Sequence, residues 1–429
     1  MISNTQIKRY CLVRQATLKF FLLYCCVVLW LAGYSHAAVS AVTSHFIIGS
    51  APTFNPQLEQ EIAQQQFSLL MFNYQGKTYG NSTMQSFPAV DPLSTIQDFI
   101  QHVTIAPMVL NEGDALDVDG DGVFTVTFNS ASLTLRDKYN EIIDVSHTFC
   151  ELVDKAPFTL HLNAALNLTT RYGVPNTTAY NVSQQYLIPL KPTLCYLKPS
   201  LTYGSGNYAG VTTIWNPQQG FIYDASKTPF PTTGMDGLNF DIKVLGVDVL
   251  TQDINTIYSH LANVSLQLSP MDSQTLHVKL SGPTANNPKP FTANVFNILI
   301  GPALTYRFKI NHWFIYNNDQ LLTWGNANNW CNGLGGNQRY QLPAITQLSN
   351  ASQDVSGQAG VRNYTRSIGQ GLLPEWGSLV SYGLMTSHYI WSSTLRPNSG
   401  GHYYDTHNVI GSISSPVPAF QEMNLCVSK

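Results

Sequence analysis

Charged side chains are scarce in this sequence of 429 residues. Lysine, arginine, aspartate and glutamate make up only 11% of it, and no stretch repeats leucine, glutamate and lysine at helical spacing. This scarcity excludes a predominantly helical cytosolic enzyme. Residues typical of strands and turns are frequent instead, with 22 tyrosines, 30 glycines and 23 prolines. The composition therefore predicts a mainly β protein with many turns.

Long apolar runs are also lacking. The apolar segment 20–32 has about a dozen residues, too few to span a bilayer comfortably. Four basic residues precede this segment, namely Lys8, Arg9, Arg14 and Lys19. Small residues follow it, in the stretch from Ser35 to Ala38. Such an order is typical of a secretory signal peptide, with a membrane anchor as the alternative. We therefore expect a signal peptide over residues 1–37 and no membrane-spanning segment in the mature chain.

Clusters of positive charge are absent from the mature chain. Residues 1–37 contain four basic and no acidic side chains, so their removal changes the formal net charge from −3 to −3 − 4 = −7. Nucleic-acid-binding surfaces need clustered lysine and arginine to contact phosphates. The charge therefore argues against nucleic acid as a partner.

Catalytic motifs are missing as well. The sequence has no G-x-S-x-G, no H-E-x-x-H, no P-loop and no dinucleotide-binding glycine motif at a strand-to-helix junction. Glu375 is a candidate general acid for glycan hydrolysis, but no second carboxylate is placed to complete the pair that such enzymes use. We therefore expect a protein that is not an enzyme, with Glu375 in solvent or at a helix terminus.

Only four cysteines remain after the signal peptide, which holds Cys11, Cys25 and Cys26; they are Cys150, Cys195, Cys331 and Cys426. An even number in an exported chain predicts disulfide bonds. Three pairings are open, and sequence separation favours Cys150–Cys195 and Cys331–Cys426. A zinc site is the alternative, although no C-x-x-C or H-x-x-x-H spacing supports it.

Strand patterns divide the mature chain into four parts. Residues 38–108 are predicted as a lead-in segment with one helix, in which Asn55 is the N-cap. Short alternating apolar runs separated by turns predict one Ig-like β domain over 109–199 and a second over 200–307. The last part, 308–429, contains a helix that begins at Trp324 and has Cys331 on its apolar face. Short strands follow this helix, and the part is predicted as an α+β domain.

Two groups of residues are candidate binding sites. Asp117, Asp119 and Asp121 have the carboxylate spacing of a calcium loop, but position twelve of an EF-hand loop is occupied here by Phe128. The alternatives are a loose calcium site and an Asp/Gly surface turn, and no other cofactor is expected. The second group is aromatic and lies among Gly, Ser and Asn residues, as is typical of recognition loops; it comprises Tyr382, Tyr389, His402, Tyr403 and Tyr404. Trp391, within an apolar strand, is expected in the core.

Several short motifs recur in an order that resembles a known family. They are Trp330-Cys331 on a helix, Leu342-Pro343, Ile368-Gly369 before Glu375-Trp376-Gly377, Tyr389-x-Trp391-Ser-Ser393, the terminal Cys426-Val427 and, upstream, Cys195-Tyr196-Leu197-Lys198-Pro199. The order resembles that of bacterial intimin/invasin-type adhesins and of the enterobacterial "adhesion domain-containing" surface proteins, over about residues 110–429. The resemblance implies an Ig-like stalk, a C-type-lectin-like domain over 308–429, and a place at the surface of a Gram-negative bacterium or in the medium.

The resemblance also shapes the functional expectation. Calcium-dependent lectins carry an acidic ligand where this chain has Arg396, in Arg396-Pro397-Asn398, so the lectin-like fold does not imply calcium-dependent sugar binding. We expect an adhesin that binds a protein or glycan on a host or neighbouring cell through its C-terminal tip. The alternatives are a non-catalytic structural subunit of a periplasmic or extracellular assembly and, ranked below it, a secreted glycan hydrolase.

Overall fold

The computed structural model describes residues 49–118, 120, 122–258, 263–336, 339–352 and 363–429. The predicted signal peptide, 1–37, and two of the predicted calcium ligands, Asp119 and Asp121, lie outside these residues. The described chain is mainly β with several antiparallel sheets, as the composition predicts. The division into Ig-like and C-type-lectin-like domains remains a prediction.

The first unit, residues 49–192, is built around a hydrophobic core that also includes Cys195, Tyr196 and Leu245. Its elements are α1 (Pro56–Ala63), α2 (Ile96–Ile100), β1 (Thr53–Phe54), β2 (Phe72–Tyr74), β3 (Lys77–Tyr79), β4 (Val103–Ile105), β5 (Ala115–Leu116), β6 (Phe124–Arg136), β7 (Thr159–Thr170) and β8 (Thr177–Leu187). The prediction that Asn55 caps α1 is confirmed, because its side chain accepts a hydrogen bond from Leu58 N at 2.9 Å.

The long strands β6, β7 and β8 form an antiparallel sheet in that order. Side chains of β7 alternate between buried and more exposed positions along its whole length, which is the pattern of a strand with one face on the core. The sequence pattern predicts two separate strands here, over 123–128 and 132–135. The structure has one strand, β6, because a bulge near Ser130 keeps both halves paired with β7. The predicted lead-in residues contribute to the same core as β7, since Phe54 and Phe72 pack within it.

The middle unit, residues 193–310, contains two further antiparallel sheets. Its strands are β9 (Thr193–Lys198), β10 (Trp215–Asn216), β11 (Gly220–Ile222), β12 (Thr233–Met235), β13 (Asn239–Leu245), β14 (Ile254–Tyr258), β15 (Ser265–Asp272), β16 (Thr275–Ser281), β17 (Asn294–Ile300) and β18 (Leu304–Ile310). The sheet orders are β10-β11-β9-β13-β16-β15 and β14-β17-β18. A disulfide between Cys150 and Cys195 links the first unit to β9.

The terminal module, residues 312–429, is the α+β part of the chain. Its elements are α3 (Trp324–Gly333), α4 (Ile345–Leu348), α5 (Leu372–Trp376), β19 (His312–Tyr316), β20 (Tyr340–Gln341), β21 (Tyr389–Leu395), β22 (Tyr403–His407), β23 (Ile413–Ser414) and β24 (Leu425–Ser428). Ala327 and Cys331 lie on the buried face of α3, and Cys331 is bonded to Cys426 of β24. The bond therefore joins the beginning of the module to its end.

One sheet crosses from the middle unit into the terminal module. Its strand order is β12-β19-β24-β20, and β12 runs parallel to β19. Gly234 permits this close approach, because a Cβ at that position would lie 2.8 Å from Cζ3 of Trp313. Core residues of both parts form one continuous apolar cluster, so the terminal module and the middle unit are packed as one body.

A buried carboxylate holds this junction together. Glu375 of α5 is 0% exposed. Its oxygens accept hydrogen bonds from the backbone N and hydroxyl of Thr232 and of Thr233, at 2.6 to 3.0 Å, and from Gly369 N at 2.9 Å. Burial raises the pKa of Glu375, although these donors favour the ionised form. The expectation that Glu375 lies in solvent or caps a helix terminus is wrong, because donors 143 residues away along the chain enclose it.

A buried cation lies beside it. Arg366 is 1% exposed, and its guanidinium donates to the backbone oxygens of Ser200, Thr202 and Glu375. The same guanidinium lies 4.5 Å from the ring centroid of Trp215, a cation–π contact. Glu375 and Arg366 therefore both fix the segment around α5 to the middle unit.

The helices of the described residues are short. The longest of them, α3, has ten residues, and none is long and apolar enough to pass through a membrane.

Candidate binding surface

The hairpin β21–β22 has the middle of both strands buried and its turn at the surface of the terminal module. The turn between its strands, 396–402, contains Asn398, Gly400 and Gly401, all at positive φ. Within the turn, Ser399 Oγ donates to Arg396 O at 2.7 Å and accepts from His402 N at 3.0 Å. The turn is therefore closed by its own hydrogen bonds.

The hairpin is anchored on its neighbours. Ser393 N donates to Pro343 O at 2.8 Å, and Ile345 N donates to Thr394 Oγ1 at 3.0 Å, so β21 is tied to the beginning of α4. Trp391, expected in the core, is fully buried, and its indole N–H donates to Leu322 O. A hairpin fixed in this way presents its outer side chains in a defined geometry.

An aromatic stack lies beside the turn. The rings of Trp324 and Tyr403 are parallel to within 11°, with centroids 3.6 Å apart. Trp324 is held in place by two hydrogen bonds, from its indole N–H to Ser392 O and from its backbone N to Pro418 O. Both rings are half-buried, so each is fixed by packing while part of it reaches the surface.

Exposed apolar side chains lie beside this stack, and two basic side chains lie near the turn. Leu395 pairs with Tyr403 across the hairpin and is 51% exposed, and Phe420, in the loop that caps Trp324, is 57% exposed. Arg396 Nη1 donates to Ser415 Oγ at 3.0 Å, and His402 Nδ1 lies 3.1 Å from Ser415 O. These two basic side chains belong to the other face of the hairpin, because Arg396 and His402 form the pair that follows Leu395 and Tyr403. We call the set on the stack's side the tip surface; it comprises Trp324, Leu395, Tyr403 and Phe420.

The predicted ligand-binding residues do not all belong to one surface. Tyr403 lies in the tip surface, whereas His402 lies on the other face of the hairpin, against Ser415. Tyr404 is only 8% exposed, because neighbouring residues of a strand point to opposite faces. Tyr389 packs against His407 near the other end of the hairpin, about 13 Å of strand away from Tyr403.

Tyr382 lies apart from the hairpin, in the junction with the middle unit. Its hydroxyl accepts from Ser200 N and donates to Trp376 O, both at 2.9 Å. Burial raises the pKa of this hydroxyl well above its ordinary value. These contacts give Tyr382 a structural role in the packing of the junction.

Residues that the sequence reasoning missed complete the tip surface. Trp324 and Phe420 are 96 positions apart in the sequence. From the sequence alone, Trp324 belongs to the beginning of a predicted helix. The one local signal in the sequence is Phe420, an apolar residue between prolines and a glutamine. A single residue of this kind is a weak indication of a binding surface.

Two carboxyl groups are buried beneath the hairpin. Asp405 is 1% exposed, and its carboxyl accepts hydrogen bonds from the backbone N and the hydroxyl of Ser414. Burial raises the pKa of Asp405 to about 7, and the nearby charge of Glu422 adds to this rise. Burial likewise raises the pKa of Glu422, which forms a 2.8 Å ion pair with His388.

The raised pKa of Asp405 predicts that stability falls as pH rises. The pKa of this carboxyl is about 7 in the folded state and 3.8 in the unfolded state, so the folded state binds the proton more tightly. The resulting stabilisation of the folded state is complete below about pH 4. That contribution is lost as pH rises through 7. Between pH 5 and 8 we expect the free energy of unfolding of the wild type to fall by about 2–3 kcal/mol relative to Asp405→Asn.

The pH prediction is measured by urea unfolding of both proteins at pH 5, 6, 7 and 8. Every other titratable group is present in both proteins, so the difference between their stabilities reports on Asp405. Parallel stability curves for wild type and variant would show that Asp405 titrates normally.

The predicted calcium loop has only one ligand among the described residues, Asp117. The described part of the chain contains no cluster of three or more His, Cys, Asp or Glu side chains able to hold a metal ion. The calcium interpretation, which depends on Asp119 and Asp121, remains a prediction.

Comparisons with known proteins give loose structural similarity alone. No protein-family model matches the sequence, and no curated protein matches it either. The crystal structure of invasin, a bacterial integrin-binding protein, aligns with a TM-score of 0.36 and 15% identity over 76% of this chain and 55% of that one. Domains 4 and 5 of the S-layer protein SbsC align with a TM-score of 0.19 and 9% identity, over 56% of this chain and 96% of that one.

The chain thus spans about half the length of the invasin structure. Alignments as loose as these do not define a shared fold, so the function of this chain is argued from its own residues.

Proposed function

We propose that this chain is an exported bacterial adhesin that binds a component of another cell's surface through the tip surface. In this proposal residues 1–37 direct export and two Ig-like units carry a C-type-lectin-like tip. The order of motifs that resembles intimin/invasin-type adhesins supports this arrangement. Two disulfides in a chain of this size also support an oxidising location outside the cytoplasm.

The observation that carries the proposal is the exposed apolar and aromatic cluster around the Trp324–Tyr403 stack. Leu395 pairs with the tyrosine of a rigid aromatic stack, and Phe420 lies in the loop that caps its tryptophan. Exposed aromatic and aliphatic side chains of this kind have the composition of protein recognition sites. Single exposed apolar residues are ordinary on protein surfaces, but a contiguous group indicates binding. The anchored hairpin adds pre-organisation, which lowers the entropy lost on binding.

We expect that loss of Tyr403 or Phe420 weakens adhesion. Tyr403→Ala removes one ring of the stack and Phe420→Ser removes the most exposed aromatic side chain of the tip surface. Each is expected to raise the dissociation constant of the purified full chain on cultured epithelial cells by about tenfold or more, as central interface residues do. Tyr139→Ala, which removes an aromatic side chain 66% exposed in the first unit, is the matched control and is expected to bind like wild type.

The experiment uses the full chain rather than residues 308–429. The isolated piece would lose β12 and the donors to Glu375, both of which come from the middle unit. Binding that is equal for wild type, Tyr403→Ala and Phe420→Ser would contradict the proposed role of the tip surface, provided that the variants melt cooperatively.

A second candidate function, a structural subunit of an extracellular assembly, is favoured by one observation. Strand β6 has thirteen residues and pairs only with β7 among the described strands. Its outer edge therefore offers backbone hydrogen-bonding groups over a long distance, as in proteins that associate by strand addition. Light scattering of the purified chain distinguishes the two: a defined oligomer abolished by a proline at Ser132 supports the subunit, and a monomer that binds cells supports the adhesin.

A further inference from the structure

We propose that strand β6 pairs with β6 of a second copy of this chain, antiparallel and around a two-fold axis. What points to this partner is a free, uncharged strand edge whose alternation of side chains matches its own reverse. The inference rests on the second candidate function, because it names what that edge binds. The tip surface lies in the terminal module, so each copy keeps its own, and a dimer that also binds cells combines the two candidate functions.

The outer edge of β6 is free over most of its length. Among the described residues, the backbone from Phe124 to Thr134 is hydrogen-bonded only to β7. The loop after β6 occupies the edge from Leu135 onward, since Ile143 N donates to Leu135 O at 3.0 Å. The free part, 124–134, extends over about 35 Å, which is long enough for a complete strand to pair with it.

This edge lacks most of the features that keep strands of different molecules apart. Exposed edges are normally protected by lysine, by proline, by a bulge or by being very short. The sequence from 124 to 135 contains no charged residue and no proline, and of these features it has only the bulge near Ser130. Two copies of this edge can therefore approach each other without placing like charges opposite each other.

The bulge gives β6 an alternation that reads the same in both directions. Residues opposite each other in a sheet lie on the same face, so the buried residues of β7 identify the core-facing residues of β6. Asn129 lies on the outer face, since its side chain donates to Asn167 Oδ1 at 2.9 Å. The core-facing residues between 124 and 135 are Phe124, Val126, Phe128, Ala131, Leu133 and Leu135.

This symmetry selects one register. Only an axis between positions 129 and 130 places each residue from 125 to 134 opposite a residue of the second copy that lies on the same face. Phe128 then lies opposite Ala131 on the core side, and Thr127 lies opposite Ser132 on the outer side. A shift by one residue would instead place core-facing side chains opposite outward-facing ones.

A groove beside Ala131 offers room for the phenylalanine of the second copy. Ala131, Ala164 and Val182 form one row across the core face of the sheet. Together with Ile62 and Ala63 of α1 they line a groove of about 460 Å³. Ala131 is exposed although it faces the core side, so a large apolar side chain placed opposite it would bury surface that now contacts water.

Sedimentation velocity of the purified full chain tests whether two copies associate. We expect a dimer at micromolar concentrations, and we expect Tyr403→Ala to form the same dimer because the tip surface takes no part in the pairing. A chain that stays monomeric at these concentrations would overturn the inference and leave the adhesin proposal standing. Failure of the adhesin proposal is detected separately, by the cell binding of Tyr403→Ala.

The register is tested by mixing two single variants, Thr127→Cys and Ser132→Cys, under mild oxidation. Both positions are exposed, and residues opposite each other in an antiparallel pair have Cα atoms about 4.5 or 5.5 Å apart, within the range of disulfide bonds. The four cysteines of the described residues are already bonded. We expect at least about tenfold more covalent dimer from the mixture than from either variant alone.

The matched control mixes Thr125→Cys with Ser132→Cys. In the proposed register these two positions are displaced by two residues, about 7 Å along the strand, so little covalent dimer is expected. Equal crosslinking in both mixtures, or more in the control, would overturn the proposed pairing. An oligomer that Ser132→Pro abolishes but that neither mixture crosslinks would keep the second candidate function and likewise overturn the pairing of β6 with itself.

Discussion

Glu375→Gln is expected to lower the free energy of unfolding of the full chain by about 2–4 kcal/mol, one of the two largest effects in the molecule. The substitution keeps the shape of the side chain but replaces one acceptor oxygen with an NH2 group. Whichever oxygen is replaced, one backbone N–H, that of Gly369 or of Thr233, then faces a donor. The hydroxyls of Thr232 and Thr233 can rotate to compensate, but a backbone N–H cannot.

Urea unfolding measures this effect. Glu112→Gln makes the same chemical change at an exposed position of the first unit and is expected to alter stability by less than about 0.5 kcal/mol. If Glu375→Gln matched Glu112→Gln, the buried carboxylate would not be what joins the terminal module to the middle unit.

Loss of the Cys331–Cys426 disulfide is expected to have the second large effect on the stability of the chain. The Cys331–Cys426 bond closes a loop across 95 positions, for which loss of unfolded-chain entropy predicts about 4–5 kcal/mol of stabilisation. The double variant Cys331→Ser/Cys426→Ser is expected to melt well below the wild type, because two buried sulfurs are also replaced by hydroxyls.

Thermal melting with and without reductant checks the role of this bond. In wild type, reductant should lower the transition of the terminal module, whereas in the double variant it should act only through the Cys150–Cys195 bond. An equal melting temperature for wild type with and without reductant would contradict a stabilising role for both bonds.

Local patterns predicted many of the elements. The N-cap at Asn55, the helix that begins at Trp324 and the strand from Tyr389 follow from spacing and residue type over a few positions, and the structure contains them. The bulge that makes β6 continuous leaves a weak local signal, so the sequence indicated two shorter strands there.

Local patterns do not predict contacts between residues that are far apart in the sequence. Glu375 looked like a surface acid because its donors, Thr232 and Thr233, are 142 to 143 positions away. The stack of Trp324 on Tyr403 likewise depends on the approach of α3 to the hairpin. The opposite orientation of Tyr403 and Tyr404, in contrast, follows from strand alternation and was predictable once β22 was assigned as a strand.

The central claim, that the tip surface is where this chain contacts another cell, is tested most directly by photo-crosslinking. The photoreactive residue p-benzoylphenylalanine replaces Phe420 in one full-length protein and Tyr139 in another, both at exposed aromatic positions. We expect a specific crosslink to a cell-surface component from position 420 and none from position 139. A crosslink from position 139 alone would show that the chain binds through its first unit and would contradict the proposed role of the tip surface.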